Sequence, residues 1–233
     1  FFYNQPDRII SVGIQGMINI INFAKKKRIK EFYLASSSEV YQTPHQIPTT
    51  EEEMMKIPDP YNPRYSYGGS KIMSELIAIN FGKKFLNKLV IFRPHNVYGP
   101  NMGKEHVIPE IINKIKIAKR SRKKSIYIQG SGNETRTFNY IDDFIRGIEI
   151  LIKKSKGFQT FNIGDMREIK IKDLIKKIMK TMEINLKIKT KKLQKGSALR
   201  RKPNINKIRK LGYMPRTNLE NGIKSTVKWY LDN

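Results

Sequence analysis

The sequence predicts an α/β fold, namely the C-terminal part of a doubly wound parallel sheet followed by a small α/β lobe. Short runs rich in β-branched and aromatic residues, at 31–36, 88–94 and 158–164, have the length and composition of buried strands. Between them lie longer segments whose apolar residues recur three and four positions apart, which is typical of amphipathic helices. Strands that alternate with helices in this way pair in parallel, and the helices cover the sheet.

The first part of the chain predicts a helix, a strand and a long loop. An apolar stripe over residues 6–28 predicts a helix, and Pro6 suits its first turn. The strand at 31–36 runs directly into a group of serines. Five prolines in the segment 42–63 then prevent regular structure and predict a semi-rigid loop over the site.

Helices and strands continue to the end of the chain. A helix over 65–83 contains Gly68 and Gly69, each of which costs up to ~1 kcal/mol there relative to alanine. Either the close approach of a flat ligand ring or loose packing would explain these two glycines. The later pattern predicts helices at 107–120 and 141–154, strands at 125–128, 158–164 and 186–190, a helix from about 168, a short helix, and a final helix ending near 230.

A tyrosine and a lysine on the helix at 65–83 form a candidate reactive pair. Tyr67 and Lys71 are four residues apart, so their side chains rise from the same helix face. A phenol with a pKa of ~10 is a poor base at neutral pH, but a nearby ammonium favours the phenolate. A serine hydroxyl at the end of the preceding strand would hold or pass the proton. The same spacing also occurs on many helix surfaces without any function.

Three further stretches give this pair a context. Ser36–Ser38 follow one strand, the turn Arg93–Asn96 ends another, and the glycine turn at 130–132 leads to Arg136 and a helix that opens at Asp142. In this order and spacing the motifs resemble the extended short-chain dehydrogenase/reductase family, the NAD-dependent nucleotide-sugar epimerases and dehydratases. The resemblance covers nearly the whole chain, and it is much more specific to the family than to one reaction.

The resemblance implies a Rossmann-like fold, NAD as the cofactor and a nucleotide-diphosphate sugar as the substrate of a cytoplasmic enzyme, a homodimer when complete. It implies that Tyr67 takes the proton from the C4 hydroxyl of the sugar. Lys71 would hold the nicotinamide ribose and lower the pKa of Tyr67, and Ser37 would hydrogen-bond the reacting oxygen. Ser36 and Pro94 are the other expected contacts of the cofactor.

The resemblance also implies substrate contacts. Asn96 and Arg136 match family positions that bind the sugar nucleotide, and Arg201 matches a position near its diphosphate. An arginine suits this role because its planar fork fits a phosphate. A salt bridge to the start of the next helix is the alternative for Arg136. His95 is either an additional acid or substrate contact, or a residue that packs the turn.

Part of the family pattern has no counterpart in the sequence. A doubly wound dinucleotide fold begins with a strand, a glycine-rich phosphate turn and an acidic residue. Compared with the family, the first strands and helices of the cofactor domain, roughly a quarter of a full enzyme, have no counterpart here. Gly13 also stands where the family usually carries asparagine. We therefore expect this chain by itself to carry little NAD and to be inactive.

Ser38 and Glu39 bear on the type of reaction. Relatives that eliminate water place an Asp–Glu pair here, and the aspartate protonates the leaving hydroxyl. Ser38 is far too weak an acid for that step, so Glu39 has lost its partner. A Ser–Glu pair also resembles the uronic-acid decarboxylases, which differ around the tyrosine. The residues therefore favour a C4 epimerase first, a decarboxylase second and a 4,6-dehydratase third.

The composition sets further limits. The 233 residues suffice for one domain with a small lobe, and no apolar stretch of ~18 residues predicts a membrane span. There is no cysteine, and the three histidines lie far apart in sequence, so we expect no metal site. The expected division is a partial NAD-binding domain at 1–165, with 97–135 partly in the substrate lobe, and a substrate lobe at 166–233.

The charge of the chain raises a second class of function. The sequence has 46 Lys and Arg against 20 Asp and Glu, a formal net charge of +26, which makes nucleic acid a rival partner. The lysines are spread along the chain, however, and Ile and Asn are abundant too, as in proteins of AT-rich genomes. We therefore do not expect nucleic acid as the partner. A non-catalytic sugar-nucleotide-binding fragment and a basic nucleic-acid binder stay open as alternatives.

Overall fold

The computed structural model describes residues 3–233. The helices are α1 (Pro6–Lys26), α2 (Ser66–Gly82), α3 (Val107–Arg120), α4 (Ile141–Lys154), α5 (Ile171–Thr181), α6 (Asn206–Arg209) and α7 (Leu219–Asp232). The strands are β1 (Glu31–Ala35), β2 (Lys88–Pro94), β3 (Val97–Tyr98), β4 (Ser125–Gln129), β5 (Thr135–Thr137), β6 (Asn139–Tyr140), β7 (Phe158–Ile163), β8 (Glu168–Lys170) and β9 (Lys187–Lys191). Two 3-10 turns, Ser38–Tyr41 and Pro63–Tyr65, flank the proline-rich loop.

The chain divides into two compact units, each built from separate segments. Unit 1 comprises the described residues up to His95 together with Arg146–Ile163 and Pro203–Tyr213. Unit 2 comprises Asn96–Ile145, Gly164–Lys202 and Met214–Asn233. The division expected from the sequence, 1–165 with 97–135 partly in the substrate lobe and 166–233, has other boundaries. Contacts between distant segments explain part of this difference. Helix α6 packs on β7, and both belong to unit 1, whereas β5 pairs with β8, and both belong to unit 2.

Unit 1 contains a parallel sheet in the order β1-β2-β7. The central strand β2 is buried along nearly its whole length because it has a neighbour on each side, and Ile91 pairs with Leu34 and Thr160. Helices α1 and α2 pack against each other and bury the core residues Met17, Ile21, Ala78, Leu89 and Ile91. The carboxyl ends of β1, β2 and β7 lie at one edge of this sheet, where ligands bind in open α/β sheets.

Gly13 allows the two helices of unit 1 to approach closely. A Cβ atom at this position would lie 2.9 Å from Cβ of Ser70 on α2, closer than such atoms normally come. The hydroxyl of Ser74, one turn further along α2, lies 3.5 Å from the carbonyl oxygen of Gly13. The residue that departs from the family pattern is therefore used in helix packing.

Unit 2 has its own core between helices and short strand pairs. Strand β4 pairs in parallel with β9, β3 pairs in parallel with β6, and β5 pairs with the antiparallel β8. Helices α3, α5 and α7 surround the pair β4–β9 and contribute core residues with at most 1% of their surface exposed, including Ile112, Ile115, Leu174, Ile178 and Ile223. No helix within residues 3–233 is long and apolar enough to cross a membrane.

The α/β fold predicted from the sequence is confirmed, and most of its helices and longer strands begin and end within about two residues of the predicted positions. The helix predicted from about 168 begins only at Ile171, because residues 168–170 form β8. The short strands β3, β5, β6 and β8 escaped prediction because two or three residues carry no readable periodicity. Loose packing does not explain Gly68, because the protein itself packs closely against this glycine. A Cβ there would lie 3.0 Å from the carbonyl oxygen of Glu39 and against the Gln42 amide, so the approaching group is the 3-10 turn after β1.

Gly222 on α7 provides a test of packing in unit 2. A methyl group at this position would collide with the hydroxyl of the buried Tyr98 and lie 2.9 Å from a ring carbon of Tyr140. We expect Gly222→Ala to lower the free energy of unfolding by about 1–3 kcal/mol through overpacking. Gly16 on α1 has no heavy atom within 4 Å of such a methyl group, so Gly16→Ala should raise it by about 0.5–1 kcal/mol. Urea denaturation measures both, and equal effects would contradict this packing.

Candidate active site

The end of β1 lies against one face of α2 in a regular register. Tyr67, Lys71 and Glu75 are spaced by four residues and share that face. Consecutive residues at the end of β1 each hydrogen-bond one of them. These contacts join the carbonyl oxygen of Ala35 to Lys71 Nζ at 3.0 Å, the hydroxyl of Ser36 to Glu75, and the side chain of Ser37 to Tyr67.

Tyr67 and Ser37 therefore meet as the sequence predicts, whereas the expected effect of Lys71 on the phenol is corrected. Burial raises the pKa of Tyr67 above its ordinary value of 10, the hydrogen bond with Ser37 lowers it, and the charge of Glu39 raises it again. Lys71 Nζ lies 5.8 Å from the centre of the Tyr67 ring and donates to a backbone carbonyl instead. In this structure the protein's own groups keep the phenol protonated.

The donors of Lys71 fit the ribose of a dinucleotide. Burial lowers the pKa of Lys71, and the charge of Glu75 opposes this effect. An ammonium group has three N–H donors, and one is directed at Ala35. The remaining donors suit ribose hydroxyl groups at the carboxyl edge of the sheet, so Lys71 and Tyr67 would hold the nicotinamide end of NAD.

The two remaining cofactor positions are placed differently. The hydroxyl of Ser36 is buried and bound to Glu75, so a contact of Ser36 with a cofactor would have to come from its main chain. Pro94 is the last residue of β2, pairs with Ile163 and is half-buried. The predicted contacts of Ser36 and Pro94 with NAD stay predictions.

A buried ion pair joins α2 to the central strand. Arg93 Nη2 lies 2.6 Å from Glu75 Oε2, and Arg93 Nε lies 2.9 Å from Oε1. The side chains are only 5% and 1% exposed. Arg93 also donates to the hydroxyl of Tyr41 at 2.7 Å and to the carbonyl of Glu51 at 3.2 Å, so the proline-rich loop is attached to the same guanidinium.

Asn162 on β7 extends this buried polar network. Its Oδ1 accepts a hydrogen bond of 2.9 Å from the Tyr41 hydroxyl, and its Nδ2 donates to the carbonyl of Thr49 at 3.0 Å. Burial raises the pKa of Tyr41 to about 12, so its hydroxyl remains a donor at physiological pH. The network thus connects β1, α2, β2, the loop and β7.

His95 belongs to the same network. It is buried, its Nε2 lies 3.1 Å from Asn162 Oδ1, and its ring stacks on Tyr41 with 6.2 Å between the ring centres. Of the two alternatives for His95, the geometry supports the residue that packs the turn.

Ser38 and Glu39 lie in the 3-10 turn that follows β1. Ser37 begins this turn, and its hydroxyl oxygen accepts a hydrogen bond of 3.1 Å from the backbone N–H of Glu39. Ser38 is buried, with 9% of its surface exposed, whereas Glu39 is half-buried and acts on Tyr67. The charge of Glu39 therefore acts on the reactive phenol, and the Ser38 hydroxyl is a weak acid inside the protein.

The three predicted substrate-binding residues of unit 2 all make their hydrogen bonds along β5 or to the segment beside it. Asn96 Nδ2 donates to the carbonyl of Thr137 at 2.9 Å. Arg136 donates to the carbonyl of Ala198 at 2.6 Å, and the half-buried Arg201 donates its backbone N–H to the carbonyl of Thr135 at 3.3 Å. These contacts hold the segment 198–201 beside β5.

A cavity of about 190 Å³ opens beside Arg136 in unit 2, lined by apolar residues of α3, β4 and α5 and by charged and polar side chains that include Glu110, Lys114 and Gln129. The adjacent glycine turn does not present free amide groups to it. Glu134 fills this turn, because its carboxylate accepts from the N–H groups of Ser131 at 2.9 Å and Gly132 at 2.8 Å. Burial acts to raise the pKa of Glu134, but these hydrogen bonds outweigh it, so the pKa is lowered.

Sequence reasoning assigned no role to Glu75, Arg93, Tyr41 or Asn162. One signal was available for Glu75, because it continues the four-residue spacing of Tyr67 and Lys71. Arg93 within an otherwise apolar strand was the second signal, since a buried arginine requires a partner. Within residues 3–233, no group of three or more His, Asp or Glu side chains could hold a metal ion.

Comparison with known proteins places the chain in a family. The profile described as GDP-mannose 4,6 dehydratase matches residues 2–226. The uncharacterized protein MJ1055 of Methanocaldococcus jannaschii is 32% identical over 230 residues, which cover 98% of the chain and 67% of that protein. The chain belongs to the extended short-chain dehydrogenase/reductase family. Members of this family are NAD-dependent nucleotide-sugar epimerases, dehydratases and decarboxylases.

Further family members show how far the likeness extends. Human dTDP-D-glucose 4,6-dehydratase is 28% identical over 229 residues, covering 95% of the chain and 62% of that enzyme. The structure of dTDP-glucose 4,6-dehydratase from Streptomyces venezuelae with bound NAD has a TM-score of 0.83 and 25% identity, covering 96% of the chain and 67% of that protein. UDP-glucose 4-epimerase from Thermotoga maritima with UDP-glucose also gives 0.83 and 25%, covering 97% and 72%. The chain thus spans about two thirds or less of these curated relatives.

The carboxylate of Glu168 in unit 2 has a lowered pKa, and this shift allows a test by pH. Its carboxylate accepts from Arg200 Nε at 2.8 Å and from the hydroxyl of Thr135 at 2.9 Å, and the hydrogen bond from Arg200 lowers its pKa from 4.5 to about 2. A depressed pKa contributes stability that is present above pH 4.5 and lost as the pH falls toward 2.

We therefore expect Glu168→Gln to lower the free energy of unfolding at pH 7 by about 1–2 kcal/mol, since Arg200 is half exposed and partly screened. The difference from the parent protein should shrink as the pH falls from 4.5 to 2, as measured by denaturation at several pH values. The exposed Glu149→Gln is the control. A difference that stays constant with pH would contradict the assigned ion pair.

Proposed function

We propose that the complete protein is an NAD-dependent nucleotide-diphosphate-sugar 4-epimerase. The observation that carries this proposal is the hydrogen bond between Ser37 and Tyr67 on the helix face that also presents Lys71. This is the arrangement that removal of a proton from a sugar hydroxyl requires. Likeness to UDP-glucose 4-epimerase from Thermotoga maritima and to dTDP-glucose 4,6-dehydratase from Streptomyces venezuelae is equal, at 25% identity, so the choice of reaction rests on residues of the site.

In this proposal Tyr67 takes the proton of the C4 hydroxyl, and Ser37 holds the reacting oxygen through its hydroxyl group. NAD, when bound beside Lys71, supplies the hydride acceptor and a positive charge that favours the phenolate. Burial and the charge of Glu39 raise the pKa of Tyr67, and in this proposal the charge of bound NAD and the hydrogen bond with Ser37 act in the opposite direction. Rotation of the keto sugar before reduction then inverts C4.

Arg136, Arg201 and Asn96 bind the nucleotide diphosphate in this proposal. The carboxylate of Glu134 already fills the glycine turn, so the phosphates must be held by side chains such as these arginines. The cavity beside Arg136 suits the nucleotide base, because apolar side chains line one part of it and Gln129 is a polar partner.

The reaction type is inferred from Ser38 and Glu39. Ser38 replaces the acid that a 4,6-dehydratase needs, and its hydroxyl is buried, so elimination of water is disfavoured. A uronate decarboxylase is the second candidate, because a Ser–Glu pair at this place resembles those enzymes. Epimerisation needs only Ser37, Tyr67 and Lys71, and it remains first.

The natural assembly is also part of the proposal. Exposed apolar residues on α1 and α2, including Phe23 at 53% and Phe81 at 46%, suit a homodimer interface on unit 1. We place this enzyme in the cytoplasm. Analytical ultracentrifugation of Phe23→Asp should show monomers, whereas the parent should be dimeric.

The activity is tested by incubating the full-length protein and NAD with UDP-glucose, UDP-glucuronate and dTDP-glucose, and by following products with NMR. We expect UDP-galactose from UDP-glucose as the main product. Tyr67→Phe should slow turnover by ~10²- to 10⁴-fold while leaving sugar-nucleotide binding nearly intact. Tyr61→Phe, which alters a tyrosine that is 95% exposed, is the matched control and should keep the parent rate.

Other products decide between the alternatives. A 4-keto-6-deoxy sugar as the main product would overturn the proposed order, and a pentose from UDP-glucuronate would identify the decarboxylase. Selective binding of sugar nucleotides without any product would point to a non-catalytic binding protein. Salt-sensitive binding of polyanions alone would point to nucleic acid.

The substrate-binding residues give a separate prediction. Arg136→Ala and Arg201→Ala should each weaken binding of the nucleotide sugar by roughly 1.5–3 kcal/mol for each charged hydrogen bond lost. Arg200→Ala is the control, because this neighbouring arginine is paired with Glu168. Calorimetric titration measures all three, and unchanged affinity in the first two would remove both residues from the binding site.

A further inference from the structure

Glu75 is a buried acid for which the proposed mechanism has no role. It lies one turn beyond Lys71 on the catalytic face of α2, and its side chain is 1% exposed. Arg93 binds both carboxylate oxygens, and the hydroxyl of Ser36 binds one of them. A buried ion pair is poor evidence for stability by itself, because well-packed apolar residues often serve equally well. The position of Glu75 therefore points to an additional role.

The first indication is mechanical. Ser36 lies between Ala35, which binds Lys71, and Ser37, which binds Tyr67. Its hydroxyl attaches the end of β1 to Glu75, and its backbone N–H donates to the carbonyl of Phe92 on β2 at 2.9 Å. Ala35 and Ser37 are thereby held against Lys71 and Tyr67, respectively.

The second indication is electrostatic. On α2, Lys71 has Tyr67 on one side and Glu75 on the other. The end of β1 binds Lys71 through a carbonyl oxygen, which carries no full charge. Glu39 of the following turn acts on Tyr67. Arg93, the charged residue at this end of β2, is bound to Glu75. Glu75 is thus the carboxylate that offsets the burial of this lysine.

We propose that Glu75 is a positioning residue for the chemistry at Tyr67 and Lys71, an inference that rests on the proposed function. Its carboxylate fixes the end of β1 through Ser36, and its negative charge favours the ammonium form of Lys71 while this lysine is bound to Ala35. Arg93 holds the carboxylate in place and does not itself touch the reactive pair.

The charge is tested by acylation of lysines in the full-length protein with an N-hydroxysuccinimide ester, read peptide by peptide by mass spectrometry across pH. Only a neutral amine reacts, so Glu75→Gln should raise the rate at Lys71 at least about threefold at a fixed pH below its pKa. Glu75→Asp keeps the charge and should return the rate toward the parent value.

Two controls separate this effect from a general loss of structure. Glu51→Gln removes another carboxylate of the same region, which binds the backbone N–H of Asn162, and should leave Lys71 unchanged. Lys88 is an internal control, because it is buried at the opposite end of β2 from Arg93 and donates to the carbonyl of Ile152 at 2.9 Å. An unchanged rate at Lys71 in folded Glu75→Gln would overturn the proposal.

If Glu75→Gln does not fold, Lys88 becomes reactive as well and the acylation test gives no answer. The mechanical role is therefore tested with a second variant. Ser36→Ala removes only the hydroxyl that joins β1 to Glu75, and amide hydrogen exchange at residues 35–37 should become faster. Ser74→Ala is matched, because that buried hydroxyl donates to the carbonyl of Ser70 within α2. Equal exchange at 35–37 in the two variants would overturn the proposal.

Neither experiment requires bound NAD, a sugar nucleotide or turnover. Both can therefore fail in a protein that epimerises sugars, and both can succeed in one that does not.

Discussion

The Glu75–Arg93 ion pair is the interaction on which the arrangement of unit 1 depends. Burying two charges costs several kcal/mol per ion, and their attraction offsets this cost only with good geometry and additional hydrogen bonds. Here Arg93 binds both oxygens of the carboxylate, and its remaining donors reach Tyr41 and the carbonyl of Glu51. The pair thereby attaches α2, β2 and the proline-rich loop to one another.

The catalytic face follows from this attachment together with the four-residue spacing on α2. Glu75 is held by Arg93 and binds Ser36 at the end of β1. The residues on either side of Ser36 can therefore hydrogen-bond Lys71 and Tyr67. Gly68 lets the 3-10 turn after β1 pack directly on α2, and that turn carries Glu39 to the phenol. Burial then sets the protonation of the site, with a phenol that stays protonated and a lysine that is more readily neutralised than one in water.

Most of the fold and the reactive pair could be predicted from the sequence because both depend on local spacing. Periodicity gave the long helices and strands, and four-residue spacing placed Tyr67 and Lys71 together. The pKa of Tyr67 could not be predicted, since it depends on burial and on the charge of Glu39, and both effects arise only in the folded chain. The role of Gly68 likewise depends on a contact with a distant turn. Discontinuous units are equally hidden, because pairs such as β5 with β8 join residues about thirty positions apart.

A double-mutant cycle in the free energy of unfolding tests the central place of the ion pair most directly. Glu75→Gln and Arg93→Met should each cost about 3–5 kcal/mol, because each leaves a buried charge or polar group without its partner. The double variant should cost at least about 2 kcal/mol less than the sum of the two, as residues in direct contact do. Two effects that add within about 0.5 kcal/mol would contradict the account, because Glu75 and Arg93 would then be stabilised independently of each other.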